Sequence, residues 1–319
     1  MLSHSHYGRP LTELRECRQL AALVGVLWVG AAGCSRTVDD ELAEVAPSAA
    51  RPAAAPQGVA TTRNGAPFGF ALRAIDAQAG DRVLLPLRSN IEAARQHGFE
   101  QPTFVYGGGV LEQVGEGASN VRWQTQQRAL VDNVWLIPIR RGERAAPGDI
   151  VLTSWASGSG MLRGIVLGAG NPQSPTVRYL DLPASHPAAD AADTLEPSSF
   201  HVLRNPGEVG TTLACRSSPG AGLSRVERAI VLHREAADLL VLAFAGKLRR
   251  VAGADCKPLP LAPPLKTGER VFVPVVGAFV QARVLAVNTQ AGRVEVSYDF
   301  GNEQKQQAFG FTNVALELP

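Results

Sequence analysis

A glycine-led strand opening recurs four times along this chain: Gly80-Asp81-Arg82-Val83-Leu84, Gly148-Asp149-Ile150-Val151-Leu152, Gly210-Thr211-Thr212-Leu213-Ala214 and Gly268-Glu269-Arg270-Val271-Phe272. The steps between these openings are 68, 62 and 58 residues. Each opening is followed by two short apolar runs of period two, the pattern of a β-hairpin. The hairpins join Gly109-Val110-Leu111 to Val121-Arg122-Trp123, Gly164-Ile165-Val166-Leu167 to Val177-Arg178-Tyr179, Ala229-Ile230-Val231-Leu232 to Leu240-Val241-Leu242, and Ala282-Arg283-Val284-Leu285 to Val294-Glu295-Val296-Ser297-Tyr298. Each segment then closes on an apolar stretch: Val134 to Ile139, Phe200 to Leu203, Val251 to Leu259, and Val314 to Leu318. Five short strands per period, without a long helix, suit a small bent sheet that closes on itself and so removes its exposed edges. The expected fold class is all-β, in segments 61–140, 141–205, 206–262 and 263–319. The alternative is one β-rich domain whose strands merely recur.

Composition agrees with many turns. Glycine (32) and proline (22) together exceed their usual share of a 319-residue chain, while 45% of residues are hydrophobic. Lys plus Arg at 31 against Asp plus Glu at 29 gives a net charge of +2, which argues against a nucleic-acid partner. Two insertions interrupt the repeats. Ser89-Asn90-Ile91-Glu92 fits a capping box and Gly98 a helix stop, predicting a short helix. Pro183 to Ser199 reads as a surface loop rich in alanine, proline and aspartate.

The N-terminus has a different character. Arg9, Arg15 and Arg18 precede a 14-residue apolar stretch, Leu20 to Gly33, which is shorter than the ~20 residues of a spanning helix and fits a signal peptide. It ends on Ala31-Ala32-Gly33-Cys34, which resembles a bacterial lipobox, with alanine where that family usually has leucine. The resemblance implies cleavage after residue 33, acylation of Cys34, and a lipid-bilayer partner in the bacterial cell envelope. Ser35 after the cysteine, in place of aspartate, implies the outer membrane. Residues 34–60 are rich in alanine and proline and read as a disordered tether. Cys17 leaves with the leader and Cys34 is lipidated, so an exported body retains Cys215 and Cys256, whose default state is a structural disulfide. No Cys-x-x-Cys spacing supports a redox or metal role for them.

The segment layout resembles tandem SH3-like or Tudor-like barrels over residues 77 to 318. The fourth segment carries the resemblance furthest: Val296-Ser297-Tyr298-Asp299-Phe300-Gly301-Asn302 is similar to the Val-x-Phe-x-Asp-Tyr-Gly-Asn stretch of Tudor domains. In those domains the positions matching Phe279, Tyr298, Phe300 and Asn302 form an aromatic cage for a methylated cation. Phe309 and Phe311 follow closely. Aromatics of this density also fill the core of a small barrel, so the two readings differ in whether Tyr298 and Phe300 face a cleft or a core. SH3-like barrels present shallow clefts, for which an extended peptide or glycan strand is the expected occupant.

Catalytic signals are sparse. His97, His186, His201 and His233 are isolated in sequence, and none belongs to a His-x-x-x-His or His-Glu-x-x-His unit, so no metal site and no cofactor are expected. His97 and His233 read as solvated helix-end or turn residues, and His201 as a packed strand residue. Gly107-Gly108-Gly109 and Ser157-Gly158-Ser159-Gly160 lack the flanks of a phosphate loop or a serine elbow, and hairpin turns with positive φ account for both. The sequence therefore points to no catalytic residues and to a lipid-anchored binding or scaffolding module, with an envelope protein or peptidoglycan as partner. The rival is an envelope hydrolase in which Asp81, Asp149, Asp181 and Asp299 converge between barrels.

Overall fold

The computed structural model describes residues 66–319 apart from 101, 156–159, 169 and 218–224. The leader, the tether and Cys34 lie outside the described residues. The fold is all-β: nineteen strands and one α-helix are present among the described residues. The first segment holds β1 (Arg82–Pro86), β2 (Tyr106–Gln113), β3 (Ala118–Trp123), β4 (Arg128–Asp132) and β5 (Ile137–Ile139). The second holds β6 (Ile150–Ser154), β7 (Met161–Val166), β8 (Thr176–Tyr179), β9 (Ala192–Thr194) and β10 (Phe200–Leu203). The third holds β11 (Thr212–Arg216), β12 (Val226–Glu235), β13 (Asp238–Ala243), β14 (Leu248–Ala252) and β15 (Cys256–Pro258). The fourth holds β16 (Arg270–Val275), β17 (Ala278–Asn288), β18 (Arg293–Phe300) and β19 (Glu303–Gly310).

One antiparallel order is used throughout. The sheets run β4-β3-β2-β1-β5, β9-β8-β7-β6-β10, β14-β13-β12-β11-β15 and β19-β18-β17-β16. In the fourth segment a single bridge, Phe272 to Ala315, takes the place of the fifth strand. Among the described residues, no ladder joins the two outer strands of a segment. A single pairing, Glu227 with Ala278, links the third and fourth segments into one nine-stranded sheet.

The recurrent glycines explain why the layout repeats. Gly80, Gly148, Gly210 and Gly268 have φ of 84°, 88°, 91° and 87°, a region open to glycine at little cost. Each donates its amide to the second strand of its own segment: to Leu111 O (2.6 Å), Val166 O (2.9 Å), Val231 O (2.8 Å) and Val284 O (2.8 Å). The following acidic residue then ties the turn, because Asp81, Asp149 and Glu269 accept the amides of Gln78, Ala146 and Lys266 at 2.7, 2.8 and 2.8 Å. Thr211 performs the same task differently, accepting from the Gly207 amide and donating to Glu208 O at 2.7 Å.

Three expectations are corrected. Helix α1 spans Arg88–His97, with Leu87 rather than Ser89 at its cap. The chain is held extended up to Leu87, whose amide bonds Val105 O, and Asn90 is drawn away to accept the Val105 amide at 2.9 Å. The Pro183 to Ser199 stretch is not only a loop, for it contains β9, which pairs with β8 and is flanked by buried Ala189 and Leu195. Gly107, Gly108 and Gly109 lie inside β2 rather than in a turn, and a Cβ on Gly109 would come within 2.8 Å of Leu85.

The segments are packed together rather than strung apart. Segments two, three and four each have an apolar cluster of their own, around Val151 and Phe200, Leu213 and Val231, and Val273 and Val296. The cluster of the first segment, centred on Leu85 and Trp135, continues into Leu152, Leu180, Leu232 and Leu240 of the next two. Cys215 and Cys256 sit opposite one another on β11 and β15 and form the disulfide.

Candidate functional site

The aromatic set of the fourth segment is not brought together. Tyr298 is buried on β18, donates its hydroxyl to Gln307 Oε1 at 2.9 Å, and meets Phe309 edge-on at 6.3 Å. Phe309 and Phe311 belong to the same apolar cluster. Ala282 of β17 lies opposite Tyr298, and Phe279, three residues away, therefore faces the other side of the sheet. There it packs with Phe272, Leu259 and Ala315. Phe300 is half exposed and Asn302 lies exposed in the turn between β18 and β19.

The four aspartates do not converge on a histidine either. Asp81 pairs with Arg141, Asp149 closes its own turn, and Asp299 is exposed at the end of β18. His201 and His233 share a cavity of about 400 Å³ that none of these aspartates lines. His201 Nδ1 lies 2.7 Å from Glu143, and His233 is a half-buried strand residue, not a turn residue, stacked edge-on against Phe70. Burial holds the His233 imidazole below its ordinary range. The cavity lining also includes the carboxylates Asp76 and Glu208 and the guanidiniums of Arg73 and Arg140.

Asp181 sits instead at the foot of a groove of about 350 Å³ where segments two, three and four meet. Its Oδ2 accepts the Arg163 amide at 2.7 Å and Nε at 3.0 Å, while Oδ1 accepts Arg163 Nη2. Arg228 Nη2 reaches the same Oδ1 at 3.2 Å, and Arg228 Nε donates to Asn313 Oδ1 at 2.7 Å. Arg163 also donates to Thr212. Residues from three segments are thereby fastened at one point. Burial alone would raise the Asp181 carboxyl, but the two guanidiniums hold it below the usual carboxylate range. Burial, and then repulsion from Arg163, bring Arg228 down to about 10. Two guanidiniums share one carboxylate, so the cluster carries an excess positive charge.

The rim of this groove is apolar and partly unprotected. Phe244 is 53% exposed and Val276 is 64% exposed. Val276-Gly277 forms the two-residue turn between β16 and β17, with φ of 49° and 82°. Such a turn favours Asn-Gly or Asp-Gly, and a β-branched residue at positive φ is strained. Val276 thus bears a conformational penalty while its side chain gains little from burial. The groove is bordered by β19, which among the described residues pairs with β18 alone. The single hint of the groove in the sequence is valine where a hairpin turn favours asparagine. Phe244 and Arg228 carry no local signal of their role. No protein-family model matches this chain, and no curated protein matches its sequence.

Proposed function

We propose that the chain is a lipid-anchored, non-enzymatic binding module of the bacterial cell envelope, with the groove between its second, third and fourth segments as the receiving surface. The observation that carries this reading is the exposed Phe244 and Val276 pair on the groove rim, the latter kept apolar at a strained φ. Strained positions persist where something other than local stability selects them, and exposed apolar side chains clustered at a groove mark interaction sites.

A photo-crosslinking side chain placed at position 244 or 276 of the full chain, in intact cells, tests the surface. Adducts are expected at both positions and not at Leu130, an exposed apolar residue on β4. Equal labelling at all three positions, or none at 244 and 276, would refute the reading.

A further inference from the structure

Resting on that reading of the groove, we propose the chemistry of its occupant: an extended peptide carrying an acidic side chain between apolar residues, laid along β19 with its carboxylate on Arg228. Three features lead there. The first is charge. Arg163 is 1% exposed and spends its guanidinium on Asp181 and Thr212. Arg228 keeps 28% of its side chain exposed, and its Nη1 makes no hydrogen bond among the described residues. With one carboxylate shared by two guanidiniums, a second anion at Arg228 would neutralise the cluster, and a carboxylate is the natural planar partner of a guanidinium.

The second feature is backbone. A strand paired on one side offers main-chain donors and acceptors to an added strand. β19 reads Glu-Gln-Lys-Gln-Gln-Ala-Phe-Gly, and its Gln307, Ala308 and Phe309 line the groove. The third is periodicity. In an added strand every second side chain faces the same way, so apolar residues two positions before and after the acid would fall on Phe244, Pro274 and Val276. A volume of about 350 Å³ is at the small end for ligand sites, which suits a short segment rather than a folded domain.

The test uses the full chain in detergent and three fluorescent hexapeptides read by anisotropy. These are acetyl-Val-Thr-Glu-Thr-Val-Thr-amide, its glutamine counterpart, and the glutamine peptide with a free C-terminal carboxylate. The glutamate peptide is expected to bind about tenfold more tightly than the glutamine amide, the size of one charge-assisted hydrogen bond. Val276→Asn and Phe244→Ser, both on the exposed rim, are expected to weaken it by tenfold or more without lowering thermal stability. Arg228→Gln should erase the preference for glutamate. Should that variant fail to fold, the wild-type comparison of the peptides still decides the question.

Equal affinity for the glutamate and glutamine amides, or no binding of the glutamate peptide at millimolar concentration, overturns the carboxylate assignment. In that case groove-dependent crosslinking would still stand for the surface itself. Recovery of full affinity by the free C-terminus would overturn the side-chain assignment in favour of a terminal carboxylate. Peptide binding that ignores both rim substitutions would overturn the groove as the receiving surface.

Discussion

Replacing Asp181 by asparagine keeps the shape of the side chain, removes its charge and turns one of its two acceptor oxygens into a donor. What remains is Arg163, 1% exposed, with its Nε and Nη2 facing a neutral amide. Arg228, at 28% exposure, can turn partly to water, so most of the penalty falls on Arg163. Removing one partner of a buried ion pair typically destabilises by ~3–5 kcal/mol, and in a body of this size that lowers the melting temperature by about 10 °C. Thermal unfolding followed by circular dichroism, with the disulfide intact, measures it. The double substitution Asp181→Leu with Arg163→Met removes the deeply buried pair, and it should return part of the loss, because Arg228, 28% exposed, is then the guanidinium left without its carboxylate.

The pH dependence has a definite sign. Asp181 is held below its ordinary value in the folded chain, so its contribution is present above the unfolded value of ~3.9 and is lost as pH falls through the lower folded value. The gap between wild type and Asp181→Asn should therefore close under acid conditions. A loss smaller than about 1 kcal/mol at neutral pH would refute the claim that this carboxylate fastens three segments together.

Other expectations concern separate links in the chain of cause. Gly210→Ala meets both a φ of 91° and a contact of 2.5 Å with Leu152, whereas Gly148→Ala meets only a φ of 88° and open space. The first should cost ~1–3 kcal/mol more than the second by chemical denaturation, and equal costs would show that the inter-segment contact is soft. Changing Cys215 and Cys256 to serine should destabilise by roughly 3–4 kcal/mol, given a sequence separation of 41 residues; an unchanged urea midpoint would contradict this. Cys34→Ser should release the chain from the membrane fraction or leave an unprocessed precursor, and unaltered attachment and mobility on a gel would rule out the lipobox.

What could be read from the sequence was whatever is decided locally. The four turns at Gly80, Gly148, Gly210 and Gly268 need a positive φ and a neighbouring side-chain acceptor, and both requirements are met within four residues of chain. The hairpins that follow alternate visibly because one face of each is buried. The fourth strand of every segment escaped the same reading: β4, β9, β14 and β19 lie at one edge of their ladders and are short or polar, whereas β5 and β10 at the opposite edge are apolar. Charge and polarity on an edge strand blunt association. Arg-Ala-Leu-Val-Asp, Ala-Asp-Thr, Leu-Arg-Arg-Val-Ala and Glu-Gln-Lys-Gln-Gln-Ala-Phe-Gly accordingly show weak apolar alternation or none.

The groove was harder still, since Arg163 and Asp181, Arg228, and Asn313 come from three segments and acquire meaning only when those segments meet. Arg163 and Arg228 stand at the matching position of segments two and three, one residue before Gly164 and Ala229, where the other two segments have Gly108 and Gln281. A repeat-by-repeat comparison would discard Asp181 and Asn313 as drift, because neither recurs. Loss of the repeat pattern at such points is what a shared surface requires: four identical units would present four identical faces and no unique junction. The departure of Val276 from the expected turn residue follows the same logic, at the one hairpin that borders the junction of three segments.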